Sequence, residues 1–476
     1  MRQGSLKRRS VTAAGAAALA LLAGATIAHE AASQANPRQN PQQRVAVTPR
    51  APLPPARTAA QRTLSETQAL FDRLVATNRA PGVAGAFGQG DAPTVFLSSG
   101  RIATDATAPA AGPDSLWRIY SMTKPVTGMA AMLLVQDGRI ALDDPVSKYI
   151  PAFATMRVLT NPDTSLDTVP ARRPITIRML LTHSAGLSYN ISAKGPLLKE
   201  TERLGVVPAQ VNAETERTAR RTRPTSLLAF ADRAAQLPLI AQPGTKWSYS
   251  IGLDVMGAVI ERASGMSFEQ FVQTRLLTPL KMTSTGWQVP AGQQNRFATL
   301  YVAAAGRLLP FDPAATSPYL TAPSFPYGGA GLVSSARDYD RFLHMIQNGG
   351  TLDGVQVMKP ETLRLATSNL LPPGVTFSGY TPGSIKGAGF GAGGLVQLED
   401  VPGGVPRGTY SWSGAANTIA FVNPLTRTRA TTMTNIFPPG SLDLAAQVGA
   451  ALRRDAERAA GRTDTRAPAP AQQRRP

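Results

Sequence analysis

The order of predicted strands and helices limits the fold of this chain more than any other feature. Short strand-like segments lie on both sides of a helical region, at 82–88, 94–102, 297–303, 391–398, 409–412, 418–422 and 428–434. The mainly helical region extends from about 141 to 289. Strands and helices are therefore segregated along the chain, with an α/β part at about 63–140 and 290–451 on either side of the helical part.

Three segments of biased composition are expected to lie outside the core. Residues 29–62 are rich in proline and glutamine and lack apolar periodicity, which predicts a disordered linker. Residues 452–476 form a basic end, for which we expect a disordered tail. The Arg/Glu-rich stretch 199–223 has nearly balanced charge, and we expect it to form an exposed loop or lid.

The first residues have the composition of an export signal. Residues 1–28 start with Arg2, Lys7, Arg8 and Arg9, continue with an uncharged run and end among small residues, which predicts a signal peptide. The uncharged run is mostly Ala and Gly, so it is weakly hydrophobic for a membrane-spanning helix. Cleavage without stable membrane insertion is therefore favoured, and we expect a periplasmic or secreted protein.

Charge and cysteine content exclude several classes of function. The net charge is +19, but much of the excess lies at the two ends of the chain. The middle has no basic stripe interleaved with aromatic residues, so nucleic-acid binding is not expected. The chain has no cysteine, which removes disulfides, Cys-ligated zinc and cysteine nucleophiles. Its histidines are His29, His183 and His344, too few to favour a metal site.

The candidate chemistry narrows to one serine and one lysine. The chain has no G-x-S-x-G motif, and a Ser-His-Asp triad would need His183 or His344, for which core or helix roles are favoured. Ser121 and Lys124 stand three residues apart at the start of a predicted helix, so both side chains lie on one face. A lysine within reach of a serine hydroxyl can take its proton. The tetrapeptide from Ser121 to Lys124 alone also fits a capped helix with an exposed lysine.

The context of this tetrapeptide favours the catalytic interpretation. Six segments follow one another in the order of a known enzyme family: RIYSMTKPVTG at 118–128, ALDDPVSKYIP at 141–151, ITIRMLLTHSAGL at 175–187, YSIGLDVMG at 249–257, YGGAGLVSSARDYDRF at 327–342 and WSGAANT at 412–418. Over 63–451 the chain resembles the serine β-lactamase and penicillin-binding protein superfamily, specifically its class C-like branch and the family VIII carboxylesterases. The resemblance implies a β-lactamase-like α+β fold, with a central antiparallel sheet flanked by helices and a mainly helical subdomain.

The resemblance also implies roles for individual residues. Carried over by position, Ser121 is the acylated nucleophile, Lys124 is its proton partner and Tyr249 is the second base. The sequence leaves open which of Lys124 and Tyr249 holds the proton at each step. The implied oxyanion hole consists of the backbone N–H groups of Ser121 and Ala415.

Two departures from the β-lactamase pattern bear on the substrate. Trp412-Ser413-Gly414 stands where β-lactamases have Lys-Thr-Gly, so the cation that would hold a substrate carboxylate is absent. Ile251 replaces the asparagine of the Tyr-x-Asn motif. Both changes make the predicted substrate pocket, formed by Trp412, Ser413, Gly414 and Ile251, more apolar, which favours uncharged esters.

These observations together predict an exported serine hydrolase that cleaves small-molecule carboxylic esters through an acyl-serine and uses no metal or organic cofactor. One alternative is a β-lactamase or D-alanyl-D-alanine carboxypeptidase, against which the missing lysine argues. Acyl transfer to an alcohol uses the same site and stays open. A non-catalytic, peptidoglycan-binding or scaffold member of the fold is a further alternative, although a scaffold has no need for Ser121, Lys124 and Tyr249 together.

Overall fold

The computed structural model describes residues 58–379, 387–402 and 404–464. The predicted signal peptide at 1–28, residues 29–57 of the predicted linker and residues 465–476 of the predicted tail lie outside these ranges. No helix within the described ranges combines the length and the apolar character needed to cross a membrane.

The α-helices of the described residues are α1 (Ala59–Thr63), α2 (Ser65–Ala76), α3 (Thr123–Gln136), α4 (Ile177–Leu181), α5 (Gly195–Arg203), α6 (Ala213–Ala219), α7 (Leu227–Ala234), α8 (Gly252–Ser264), α9 (Phe268–Val272), α10 (Ala336–Gln347), α11 (Pro360–Ala366) and α12 (Leu444–Asp464). The strands are β1 (Gly82–Gln89), β2 (Val95–Gly100), β3 (Trp117–Arg118), β4 (Arg157–Leu159), β5 (Thr168–Pro170), β6 (Leu300–Ala304), β7 (Arg307–Asp312), β8 (Val333–Ser334), β9 (Thr351–Leu352), β10 (Val355–Gln356), β11 (Ala388–Phe390), β12 (Leu395–Gln397), β13 (Tyr410–Gly414), β14 (Thr418–Asn423), β15 (Thr428–Met433) and β16 (Ile436–Phe437). Shorter helical turns lie at Tyr120–Met122, Val146–Lys148, Pro151–Thr155, Gln273–Leu277, Gln294–Arg296, Ala314–Thr316 and Pro318–Leu320.

A seven-stranded antiparallel sheet forms the centre of the α/β part. Its strands follow the order β11-β12-β13-β14-β15-β1-β2. Strand β1 pairs with β15 on one side and with β2 on the other, so Ala84 lies opposite both Met433 and Ser98. Strands from both ends of the domain therefore share one sheet, and the predicted α+β fold with a central antiparallel sheet is confirmed.

Helix α3 lies between the sheet-containing part and the helical part. Thr123–Leu134 are all buried, as is expected for a helix that is apolar on nearly every side. It contacts α8 of the helical part. On another side Gly128 faces the α/β part, where a Cβ would lie 2.1 Å from the carbonyl oxygen of Ala392. The start of α3, and Ser121 just before it, is therefore positioned by both parts.

The stretch 199–223 is not the exposed loop that its composition predicts. It includes the end of α5 and all of α6, and Arg223 is only 6% exposed. The Arg223 guanidinium lies 2.6 Å from the Glu216 carboxylate and faces the ring of Tyr327 at 5.4 Å. A buried charge is tolerated when it is paired and hydrogen-bonded, so the nearly balanced charge of this stretch partly reflects internal pairing.

Two boundaries of the folded region also differ from those predicted. Helix α1 begins within the predicted linker, where Thr58 and Gln61 form a capping box. Helix α12 continues past residue 451, because the buried carboxylate of Asp455 accepts the backbone N–H groups of Glu66 and Thr67 at 2.8 and 3.0 Å. These contacts hold the last helix against the start of α2, so the ordered domain includes residues on either side of 63–451.

Candidate active site

Ser121 lies in a single helical turn, Tyr120–Met122, that leads directly into α3. Tyr120 has a φ of 41°, in the left-handed region that a bulky residue rarely adopts. Its ring is buried and packs against Phe437, with ring centroids 5.3 Å apart. This packing fixes the tight turn. Tyr120 and Met122 are buried while Ser121 is partly exposed, so its hydroxyl is accessible to a substrate.

Lys124 is fully buried one turn along the chain from Ser121. Its Nζ donates to Ser121 Oγ at 3.2 Å and to the carbonyl oxygen of Gly329 at 2.7 Å. The same atom faces the ring of Tyr249 at 4.5 Å from the centroid. Lys124 is therefore not the exposed lysine that the non-catalytic interpretation requires. Its side chain contacts Ser121 instead.

Tyr249 completes the group from the other part of the molecule. Its hydroxyl lies 2.7 Å from Ser121 Oγ, although 128 residues separate the two along the chain. The ring packs against His183 and Trp412, with centroids 4.7 and 5.9 Å away. The structure thus brings together the three residues predicted to be catalytic, with both proposed bases within hydrogen-bond distance of one hydroxyl.

A buried carboxylate behind Lys124 was missed by sequence reasoning. Asp254, in the first turn of α8, is 0% exposed, and its Oδ1 accepts the backbone N–H of Gly329 at 2.8 Å. Burial raises the pKa of Asp254 to about 6, and the charge of Lys124 opposes that rise. The available signal was an acidic residue between Leu253 and Val255 on an apolar helix, since a buried carboxylate needs a partner.

His183 has a structural role, as the sequence analysis favours. It is fully buried, and its Nδ1 accepts the backbone N–H of Ser250 at 3.2 Å and lies 3.0 Å from the Ser250 hydroxyl. Burial, with a smaller effect from the nearby charge of Lys124, lowers the pKa of His183 well below its usual value. The ring is therefore neutral at physiological pH and supports the segment that carries Tyr249.

Strand β13 brings the third motif to the turn that carries Ser121. The strand packs against this turn, and a Cβ at Gly414 would lie 2.3 Å from the carbonyl oxygen of Ile119. Only glycine allows such a close approach. Ala415 directly follows Gly414, so its backbone is brought to the same region as Ser121, where the oxyanion hole is predicted. Ser413 is exposed on the same strand.

An aromatic and aliphatic cluster lies beside Tyr249. Its buried members are Trp247, Leu371, Val375, Phe377, Phe390, Leu395 and Trp412. Trp412 is 9% exposed and its ring meets Phe390 edge to face, with centroids 5.1 Å apart. Ile251, in contrast, is 2% exposed and packs in the main core. The structure therefore places Trp412 in the aromatic cluster beside Tyr249 and Ile251 in a different cluster.

The described residues contain no group of three or more His, Asp or Glu side chains arranged to hold a metal ion.

The α+β fold and the Ser-Lys-Tyr group define a serine hydrolase of the β-lactamase type. A family model described as Beta-lactamase matches residues 67–453, which is most of the chain. The chain belongs to the Beta-lactamase family, and it is a serine hydrolase of that superfamily.

Several relatives in this family carry names that report an activity. Esterase EstB from Burkholderia gladioli is 31% identical over 340 residues, which cover 65% of this chain and 74% of EstB. Lovastatin esterase from Penicillium rubens is 31% identical over 331 residues, covering 65% of this chain and 77% of that protein. Among solved structures, EstCE1, described as a hydrolase with promiscuous acyltransferase activity, superimposes with a TM-score of 0.66 at 24% identity, covering 83% of this chain and 100% of EstCE1. At this identity EstCE1 supports the fold alone.

Proposed function

We propose that this protein hydrolyses uncharged carboxylic esters through a covalent acyl-Ser121 intermediate. The observation that carries the proposal is the Ser121 hydroxyl, which lies within hydrogen-bond distance of both Lys124 Nζ and the Tyr249 hydroxyl. A serine is a weak nucleophile until a neighbouring group takes its proton. The names of EstB and lovastatin esterase support an ester substrate.

The proposed reaction has two steps with a shared geometry. Ser121 Oγ attacks the ester carbonyl carbon while its proton passes to Tyr249 or Lys124, and the negative charge on the carbonyl oxygen is stabilised by the N–H groups of Ser121 and Ala415. The carbon–oxygen bond to the alcohol then breaks, and the alcohol leaves with that proton. Water attacks the acyl-serine in the same way, which releases the acid and restores the Ser121 hydroxyl.

The preference for uncharged esters rests on the surroundings of Trp412. A substrate carboxylate must lose water on binding. A hydrogen bond from a positively charged side chain can replace that water and is worth about 1.5–3 kcal/mol. Trp412 and Ser413 bring no charge to that position. The cluster beside Tyr249 is apolar instead, and each CH₂ of an acyl or alcohol group that a substrate buries against it would contribute about 0.8 kcal/mol. For the β-lactamase alternative, the same absence of a cation predicts weak turnover.

Covalent labelling tests the nucleophile directly. The purified protein is incubated with a fluorophosphonate, digested, and analysed by mass spectrometry for the modified peptide. We expect one label, on Ser121, and none in Ser121→Ala. Ser264→Ala serves as the control, because Ser264 ends α8 away from the Ser-Lys-Tyr group and should leave labelling unchanged. A label on another serine, or equal labelling of Ser121→Ala, would contradict the proposal.

We also propose that the protein is exported to the periplasm or secreted, which rests on the composition of residues 1–28 alone. Expression of the full chain in a Gram-negative host, followed by fractionation and N-terminal sequencing, tests this. We expect a mature protein that starts near residue 29 outside the cytoplasm. Recovery of an uncleaved chain from the cytoplasm would contradict it.

A further inference from the structure

Asp254 has no role in the reaction proposed above, yet it lies directly behind Lys124. It is one of the buried carboxylates of the described residues, and the first-turn position in α8 places it beside the loop that contains Gly328 and Gly329. The two ends of Gly329 are held by different groups. Its N–H donates to Asp254 Oδ1 at 2.8 Å, and its carbonyl oxygen accepts from Lys124 Nζ at 2.7 Å.

The glycines of this loop leave just enough room for the carboxylate. A Cβ at Gly329 would lie 2.5 Å from Asp254 Oδ2, and one at Gly328 would lie 2.3 Å from the carbonyl oxygen of Leu253. A side chain at Gly328 would require the backbone to shift, and one at Gly329 would displace the Asp254 carboxylate. The loop therefore packs on the first turn of α8 at one defined distance, and that distance determines where the Gly329 carbonyl meets Lys124.

We propose that Asp254 is a positioning residue for Lys124: it fixes Gly329 so that its carbonyl holds the lysine beside Ser121, and its negative charge attracts the lysine side chain. This inference rests on the proposed function, because it concerns the reaction of Ser121. Asp254 does not touch the serine or the substrate and acts only through Gly329 and Lys124.

The charged groups around Asp254 are consistent with this role. Burial raises the pKa of Asp254, and the charge of Lys124 on α3 opposes that rise because the two charges attract each other. Tyr189, in the loop after α4, is buried, and this burial raises the pKa of its hydroxyl well above the usual value, with smaller contributions from Tyr249 and Asp254. Other ionisable groups on helices that contact α8 are Arg178 on α4, Asp232 and Arg233 on α7 and Glu269 on α9. All four are at least partly exposed, so solvent screens them.

The substitution Asp254→Asn removes the charge and keeps an oxygen that can accept the Gly329 N–H. Asp455→Asn is the matched control, because Asp455 is also buried and also accepts backbone N–H groups, at the start of α2. In both variants and the wild type, the rate of fluorophosphonate labelling of Ser121 and the kcat for a p-nitrophenyl ester are measured from about pH 5 to pH 9.

For Asp254→Asn we expect both rates to fall by at least about tenfold at pH 8, with KM changed less than about threefold. The wild-type rates should rise with pH through about 6, where Asp254 ionises, and this rise should be absent in Asp254→Asn. Asp455→Asn should retain both the rates and their pH dependence. Rescue of rate is not expected from Asp254→Glu, because the Gly329 contact leaves no space for the longer side chain.

Three results would overturn the inference. The first is a folded Asp254→Asn with wild-type rates and wild-type pH dependence. The second, which needs no variant, is a wild-type labelling rate that does not change with pH around 6. The third is an equal loss in Asp455→Asn, which would make the effect one of general stability. Labelling of wild-type Ser121 reports on the proposed function separately: if it fails, the nucleophile itself is wrong, and the Asp254 inference fails with it.

Discussion

A carboxylate that is buried for the sake of an active site should make the folded protein less stable as it ionises, and Asp254→Asn should remove that cost. Burial raises the pKa of Asp254 from 3.8 to about 6, which means that the folded state holds this proton more tightly by about 3 kcal/mol. The cost is absent below the unfolded pKa of 3.8, where the carboxyl is protonated in both the folded and the unfolded protein. It is complete above about pH 6, where the carboxylate is charged in both.

Roughly half of this cost, about 1.5 kcal/mol, should develop between pH 5 and pH 8. We therefore expect the free energy of unfolding of Asp254→Asn, minus that of the wild type, to increase by about this amount over the same range. His183 titrates in both proteins, so its contribution cancels in the difference. Urea unfolding followed by tryptophan fluorescence at several pH values measures the difference directly.

Asp143→Asn provides a control whose stability difference should not change over this pH range. The hydrogen bond from Arg178 lowers the pKa of Asp143 below 3.8, so the wild type gains its extra stability from this group below about pH 4, and the difference between Asp143→Asn and the wild type should stay level from pH 5 to pH 8. A stability difference for Asp254→Asn that stays level or decreases between pH 5 and pH 8 would refute the reasoning, since Asp254 would then not hold its proton in the folded state. Activity measured on the same samples should fall as stability rises, as expected where a site is maintained at the expense of stability.

Three further predictions concern the reacting groups. Tyr249→Phe keeps the ring in its cluster and removes the hydroxyl, so kcat should fall by about 10²–10⁴-fold with little change in Tm; an unchanged kcat would return the base role to Lys124 alone. Gly414→Ala should lower kcat by about 10²-fold or more, because a Cβ 2.3 Å from the Ile119 carbonyl oxygen displaces the strand that leads to the oxyanion hole; wild-type turnover in this variant would argue against an oxyanion role for Ala415. The value of kcat/KM should be at least about tenfold higher for p-nitrophenyl butyrate than for nitrocefin, because Trp412 supplies no charge for a carboxylate; a higher value for nitrocefin would favour the β-lactamase alternative.

Local patterns were sufficient to predict much of the fold. The strand-like segments predicted at 82–88 and 94–102 are β1 and β2, and the helix predicted to start near Ser121 is α3. Strand periodicity and turn residues depend on neighbours in sequence, which is why such elements can be predicted from one chain. The stretch 199–223 was predicted wrongly because its outcome depends on a partner ring, Tyr327, that lies more than a hundred residues away.

The candidate site divides in the same way. Ser121 and Lys124 are three residues apart on one helical turn, so their proximity follows from helix geometry. Tyr249 could be assigned only through the family resemblance, since 128 residues separate it from Ser121. The structure places its hydroxyl 2.7 Å from the serine oxygen because α8 packs against α3.

The sequence by itself therefore determined the segregation of strands and helices, the Ser121–Lys124 pair and the presence of Trp412 where β-lactamases have a lysine. Only the tertiary structure decided that Lys124 is fully buried, that Asp254 reaches it through Gly329, and that Trp412 belongs to the aromatic cluster beside Tyr249 while Ile251 packs in the main core. The physical reason is that burial and charge interactions depend on contacts between distant segments. Periodicity shows which face of a helix is apolar but not which residue lies opposite it.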